Sequence, residues 1–390
     1  MISSIILIFL GKSSNLVIFG SKHGASYNDN SRFLFEWIHH NRPEIKCIWI
    51  TRKDEILEML EINGLSCLNM FSLRGKIALK RATVGVISYS LRDIAPNPID
   101  VPNSIKIIQL FHGQCVKAVR FAIKEGLTDN EIKERRKEAE LVSYAISTSG
   151  FMSKYWEKCV QFGLNKHVTT GYPRNDCLIR IPKKHSNMWS KYLKAENNEK
   201  TILYAPTWRH GREPTKFFPF KDFNKDKLVD FLEQKNTILL LRPHKNDLNK
   251  HQEIRLFLED LANSKRVKLA THTIFDDVNS ILPFVDILMT DYSGLYHDYL
   301  LMNRPMIFIP YDYGEFESKS GFLYDYNNNL PGPAVDSFEK LQFELENIIN
   351  GTDNYLKPRK TLRDKIHKYR DSSSCERVAD LVKNLLPTIQ

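Results

Sequence analysis

The 390-residue sequence has no apolar run long enough to cross a bilayer, which takes about 20 residues. The apolar stretch within residues 1–12, Ile5 to Leu10, is too short for that and lacks the basic lead-in and small-residue cleavage site of a secretory signal. A packed or membrane-surface helix is the expectation there. Cysteine is sparse: Cys47, Cys67, Cys115, Cys159, Cys177 and Cys375 are scattered, and no two form a C-x-x-C pair. That sets aside a disulfide frame and a structural zinc site and suits free thiols in a reducing cytoplasm. Also missing are GxxxxGK(S/T), GxGxxG, HExxH and GxSxG. Their absence removes support for P-loop kinases, dinucleotide redox enzymes, zinc hydrolases and α/β-hydrolases. No internal repeat, low-complexity tract or heptad array is present.

What is present is ordinary for a folded protein, with 42% hydrophobic and 26% charged residues. A net charge of +10 fits either a solvated lysine-rich surface or a polyanionic partner, and charge alone does not choose. The length asks for two domains. Short apolar runs alternate with amphipathic stretches throughout. NLVIFG, KCIWIT, GVISYS, IKIIQLF and SYAIST form one series of candidate strands; TILYAP, TILLLRPH, DILMTD and MIFIPYD form a second. Strands separated by helices at this spacing indicate parallel α/β sheets. The polar stretch around Ile181 to Lys200 divides the series. The expected organisation is a Rossmann-like domain over residues 1–185, a second over 186–360, and closing helices over 361–390. Doubly wound sheets bind ligands at the carboxyl ends of their strands, and two facing domains would enclose a cleft there.

Four strand ends carry polar residues. His112 and Gly113 follow IKIIQL, and a helix is expected from about Gln114 with Lys117, Arg120 and Lys124 on one basic face. A histidine at a strand tip serves as a general base or simply hydrogen-bonds a neighbouring loop. Arg242 and His244 end LLLRPH, where they suit phosphate oxygens, unless Arg242 pairs with Asp247. Thr207 and Arg209 follow TILYA, beside Trp208, which reads as packing. Thr290, Asp291, Ser293 and Gly294 end DILMTD, where a helix start either receives an anion or is merely capped.

HGQCVK, GYPRND, YAPTWR, LRPH and TDYSGLYHDYLLMNRPMIFIPYD occur in that order. Together with the early SKHGASYNDNSRFLFEWI and the later SGFLYDY, they resemble the CDP-glycerol glycerophosphotransferase family of teichoic acid and capsule polymer synthases. The resemblance runs from about Leu16 to Val335. It implies a GT-B-like fold of two Rossmann-like domains. It implies an enzyme that moves a polyol phosphate, with glycerol phosphate first in line, from a CDP-linked donor to a hydroxyl on a lipid-linked or polymeric acceptor, releasing CMP. It further implies His112 as catalytic base and His244 on the donor phosphates, with Arg209, Arg242, Thr290, Asp291, Ser293 and Gly294 around the donor. The family usually shows two serines after Asp-Tyr, whereas here Ser293 precedes Gly294.

The basic charge then suits a polyanionic acceptor or an anionic membrane, with Lys117 and Arg120 toward the acceptor. Phe71 to Ala82, carrying Arg74, Lys76, Lys80 and Arg81, is a candidate membrane-surface helix or an ordinary surface helix. The expected location is cytoplasmic, peripheral on the inner face of the cytoplasmic membrane. The CDP-polyol is the donor substrate, and a divalent metal is the one cofactor left open: no compact Asp cluster announces it, Asp291 with Asp298 is the available pair, and Asp298, two turns into a helix, reads as structural. Oligomeric state stays open too. The competing readings are a GT-B sugar transferase or nucleotide-sugar epimerase and, more remotely, a nucleic-acid-binding protein, for which no dense basic stripe exists.

Overall fold

The structure, a computed structural model, describes residues 15–123, 126–193, 199–209 and 213–387. The expected helix in residues 1–12 and the side chain of Lys124 lie outside the described residues. The chain divides into two compact units. The first takes the described parts of Met1–Gly113, Val119–Asp176 and His367–Gln390, and the second takes Gln114–Ala118 and Cys177–Ile366.

The first unit holds seven parallel strands in the order β3-β2-β1-β4-β5-β6-β7. They are β1 (Leu16–Phe19), β2 (Lys46–Thr51), β3 (Cys67–Asn69), β4 (Val84–Ile87), β5 (Lys106–Gln109), β6 (Val142–Ser147) and β7 (His167–Thr169). Central strands such as β1 and β4 are buried at every position, as a sheet covered on both faces requires. Helices Asp29–Asn41 and Ser374–Leu385 belong to this unit. The latter is started by Asp176, whose two carboxylate oxygens accept from the backbone N–H groups of Ser374 and Cys375 at 2.9 and 2.8 Å. It buries Val378, Ala379 and Val382.

The second unit holds five parallel strands in the order β10-β9-β8-β11-β12. They are β8 (Lys200–Tyr204), β9 (Thr237–Leu241), β10 (Val267–Leu269), β11 (Ile287–Thr290) and β12 (Met306–Phe308). Its core joins Ile202, Leu239 and Ile307 of the sheet to Leu228 and Leu232 of helix Lys225–Gln234 and to Leu341 and Leu345 of helix Phe338–Ile349. Each such side chain contributes about 1.5–3 kcal/mol on burial.

Both sheets are doubly wound, with order reversing between β1 and β4 in one and between β8 and β11 in the other. Those reversals open the crevices in which such folds hold ligands. The nine apolar runs singled out in the sequence all contain strands. Three strands were not anticipated, β3, β7 and β10, each three residues long and at a sheet edge.

One expectation is corrected. No helix begins near Gln114; residues Gln114 to Val119 are not helical, and only a short 3-10 turn, Arg120–Ala122, follows. Cys115 and Val116 are buried. Lys117 forms an antiparallel bridge with Phe322, and Ala118 donates its N–H to the Gly321 carbonyl at 3.0 Å. Extended pairing therefore replaced the helical face that the Lys117 and Arg120 spacing suggested. Among the described residues, no helix is long and apolar enough to cross a membrane. All six cysteines are free thiols, and five are buried.

Candidate functional site

In the first unit, His112 stands just past β5 on a turn the chain holds under strain. Phe111 has a left-handed φ of 55°, which is unfavourable for a bulky side chain by about 1–3 kcal/mol. Three contacts hold it. The Phe111 ring stacks on Trp156 with centroids 3.7 Å apart. The Asn30 side-chain amide donates to the Phe111 carbonyl at 2.9 Å. Arg174 donates from its guanidinium to the His112 carbonyl at 2.9 Å and to the Asp29 carboxylate at 3.1 Å. Asn30 also accepts from the Arg174 backbone N–H at 3.0 Å. Asn30 and Arg174 thus clamp the turn from two sides. Gly113 completes it at φ 127°, and a Cβ there would stand 2.6 Å from the Arg174 guanidinium.

The exposed His112 ring lies flat on Tyr89, 4.2 Å between centroids and 6° between planes. Both rings line a cavity of about 510 Å³ within this unit. Its walls come from the turns after β1, β4 and β5 and from helix Asp129–Leu141. His23, after β1, faces Tyr89 edge-on at 6.4 Å. Its backbone N–H donates to Asp93 at 2.7 Å. Burial, then the Arg92 and Arg52 charges, pull the His23 pKa below the usual imidazole range. Arg120 lines the same cavity, but its charge is spent on Glu138 at 2.6 Å.

In the second unit, the ends of β8 and β11 meet at the point where strand order reverses. Asp291 accepts from the Thr207 and Tyr292 backbone N–H groups at 2.8 and 2.6 Å. Its carboxylate also pairs with Arg209 at 2.8 Å. Arg209 grips Asp312 through two further donors, at 2.7 and 2.9 Å. Its guanidinium sits over the rings of Tyr311 and Tyr292, at 4.9 and 5.2 Å. Burial works against this cation, yet Asp291 and Asp312 outweigh it and raise its pKa above the ordinary arginine value. At 9% exposure, Arg209 organises the turn. Lys117 senses both Asp291 and Arg209, and loss of water pulls its ammonium pKa down.

The Thr290 hydroxyl is fully buried and donates to the Ala205 carbonyl at 2.8 Å, so it ties β11 to β8. Ser293 is half-buried, and its oxygen accepts from the Leu295 N–H at 3.3 Å. Gly294 caps a short helix, Leu295–Tyr299, in which Asp298 is wholly buried. A Cβ on Gly294 would lie 2.1 Å from the Gln114 carbonyl oxygen. The missing hydroxyl noted in the sequence thus has a steric reason: backbone occupies its space.

Beyond β9, Arg242 is buried, donates to the Ala270 carbonyl at 2.9 Å and lies 3.4 Å from the His272 ring. Desolvation lowers its pKa to about 10, with Asp277 and Asp276, not Asp247, offering partial compensation. His244 is half-buried and starts helix Lys245–Lys250, its Nδ1 accepting from the Asn246 N–H at 3.2 Å. That bond puts the proton of the neutral ring on Nε2. Trp208 stacks on the His244 ring at 4.7 Å and 13°, a role that its reading as packing did not assign. Among the described residues, no group of three or more His, Cys, Asp or Glu is arranged to hold a metal ion.

Sequence reasoning assigned no role to Asn30, Arg174, Tyr89, His23 or Asp312. The first two lie inside the SKHGASYNDN and GYPRND stretches, so the signal was present as a motif without a contact to explain it.

Comparison with known proteins gives a consistent picture. The family model for CDP-glycerol:poly(glycerophosphate) glycerophosphotransferase matches residues 2–384. The chain is 25% identical over 381 residues to a teichoic acid glycerol-phosphate transferase of Staphylococcus aureus, covering 95% of this chain and 93% of that one. It is 28% identical over 337 residues to a teichoic acid poly(glycerol phosphate) polymerase of Bacillus subtilis, covering 83% of this chain but only 42% of the polymerase. In fold it is similar to the wall teichoic acid polymerase TagF, with a TM-score of 0.80, 21% identity and coverage of 98% and 92%.

Proposed function

Because the chain belongs to the CDP-glycerol:poly(glycerophosphate) glycerophosphotransferase family and is an enzyme of that kind, we propose that it transfers glycerol phosphate from CDP-glycerol to a hydroxyl of a lipid-linked or growing teichoic acid acceptor. The observation that carries this reading is the family match over residues 2–384. Supporting it, the Phe111–His112 turn is held by three contacts, and His112 lines a cavity.

In the proposed reaction the acceptor hydroxyl gives its proton to His112 as its oxygen attacks the donor's β-phosphorus. The new P–O bond forms as the pyrophosphate P–O bond breaks, and CMP departs. A positioned base typically contributes about 10²- to 10⁴-fold. His244, with its proton on Nε2, would donate to a donor phosphate oxygen as charge grows there. The N–H groups of the Ser293–Gly294 turn would add further donors. Arg209 and Arg242 act in this reading by fixing the turns that carry those groups.

The acceptor's lipid would bring the chain to the anionic inner face of the cytoplasmic membrane. Helix Leu73–Arg81 supports that placement, with Arg74, Lys76 and Lys80 exposed beside Phe71 and Leu73, which are 56% and 65% exposed. Flotation with anionic vesicles should be lost in a Phe71→Ser/Leu73→Ser variant, and flotation unchanged in it would remove this placement.

The deciding assay incubates the protein with CDP-glycerol, CDP-ribitol and UDP-sugars, with and without EDTA, and follows products by mass spectrometry. CMP release with growth of the acceptor by one glycerol phosphate is expected. UDP release, or exclusive use of CDP-ribitol, would overturn the assignment.

A further inference from the structure

We propose that the cavity of the first unit binds the acceptor, and that Arg135 holds the phosphate group of its terminal unit. The inference rests on the glycerophosphotransferase reading and adds to it a site and a ligand chemistry.

The cavity's position comes first. It opens where the order of the first sheet reverses, with His23 after β1 and Tyr89 after β4 on its wall, and His112 beside them after β5. Its volume, about 510 Å³, falls within the range of small-molecule sites, about 300–1,000 Å³. The Tyr89 stack holds His112 at this wall, so a hydroxyl inside the cavity would have a fixed imidazole to approach.

Charge accounting then singles out one residue. Arginines 92, 120 and 135 line the cavity. Arg92 is paired with Glu134, and Arg120 with Glu138. Glu131 is occupied at its own helix start, where it accepts from the Thr128 N–H and hydroxyl at 2.9 and 2.8 Å. Among the described residues, Arg135 alone of the three has no ion pair, and its Nε is buried with no hydrogen-bond partner. Burial and the neighbouring Arg120 charge work against its cation, and Glu138, Glu131 and Glu134 work for it without closing a contact on it. A half-buried guanidinium whose Nε has no acceptor is an unfinished contact even with carboxylates nearby. Its planar fork matches the oxygens of one phosphate. Because the other two arginines are already neutralised, the site suits a single phosphodiester, with the terminal hydroxyl directed to His112, and not a long polyanion laid across it.

The test uses two soluble acceptors: glycerophosphoglycerol, in which one phosphodiester joins two glycerols, and neutral diglycerol. With wild-type protein, glycerophosphoglycerol should be preferred. In Arg135→Gln, kcat/KM for glycerophosphoglycerol should fall about 10- to 100-fold, while KM for CDP-glycerol and kcat/KM for diglycerol stay within about twofold. Arg135→Lys should recover part of the loss. Far-UV circular dichroism checks the fold of each variant. Unchanged kcat/KM for glycerophosphoglycerol, or an equal loss with both acceptors, would overturn the proposal. So would a wild-type enzyme that releases CMP yet uses neither acceptor. Calorimetric titration of glycerophosphoglycerol reads the site without turnover. Binding that weakens in Arg135→Gln supports the site even if CDP-glycerol is not turned over, and that second result would count against the broader reading alone.

Discussion

Replacing Gly294 with alanine adds one carbon where the structure has no room for it. Its Cβ would lie 2.1 Å from the Gln114 carbonyl oxygen and 3.2 Å from the carbonyl carbon. An ordinary contact needs about 3.4 Å or more, so roughly 1.3 Å must be found. Both partners are backbone, so no rotamer change relieves the overlap. Either the Ser293–Gly294 turn or the Gln114 segment moves, at about 1–3 kcal/mol. The apparent melting temperature should fall by roughly 2–10 °C. Gly314 supplies the control. It is exposed in helix Tyr313–Lys319, and nothing lies within 4 Å of its added Cβ, so Gly314→Ala should melt like wild type. Activity should respond as well, because Gln114 is two residues from His112 along the chain. Misplacement by about 1 Å commonly costs 10²-fold in rate, so kcat should fall about 10- to 100-fold in a CMP-release assay. Gly294→Ser should behave like Gly294→Ala despite its hydroxyl. If Gly294→Ala keeps the wild-type melting temperature and kcat, the close packing on Gln114 is wrong, and so is the steric reason for glycine here.

Further outcomes follow from other contacts. Arg174→Ala removes the guanidinium from the buried Asp29 carboxylate, which keeps its bond from the Asn30 N–H, and should destabilise the first unit by about 3–5 kcal/mol in denaturant unfolding; Arg174→Lys, lacking the fork, should not restore kcat. His112→Ala should lower transfer by about 10²- to 10⁴-fold while calorimetry shows CDP-glycerol still binding; near wild-type turnover would exclude it as the base. Trp208→Leu removes the stack on His244 and should raise KM for CDP-glycerol several-fold with little change in acceptor KM. In an NMR titration, His23 should protonate at a lower pH than an unperturbed imidazole, since burial and Arg92 disfavour its charged form. Arg92→Gln removes a repelling cation, so the midpoint should move up; a downward move would contradict the assignment.

The parallel architecture was readable because eight of the nine anticipated strands are runs of four to six residues with largely buried cores, such as TILLL in β9. The edge strands β3, β7 and β10 escaped notice because three residues carry no period; β12, equally short, was readable because MIFIP continues it as an apolar run. His112 was readable as a strand-end residue from the apolar run before it. Its stack on Tyr89 and its clamp by Asn30 and Arg174 were not, since those contacts join segments far apart in sequence. Lys117 and Arg120 show the opposite failure: their spacing fits a helix face, but pairing of Lys117 with Phe322 overrode local preference. Arg209 was rightly placed at a strand end, whereas its commitment to Asp291 and Asp312 depends on partners more than 80 residues away.

The return of the chain to its first unit at His367 bears on how the protein is made. Domains on a nascent chain usually fold in the order in which they are synthesised. Here the second unit, Gln114–Ala118 together with Cys177–Ile366, is complete in sequence before the ribosome reaches the helix Ser374–Leu385 that belongs to the first. The unit begun first is therefore finished last. Until that helix arrives, Asp176 has no N–H groups of Ser374 and Cys375 to receive, and the surface that Val378, Ala379 and Val382 will cover stays open to chaperones.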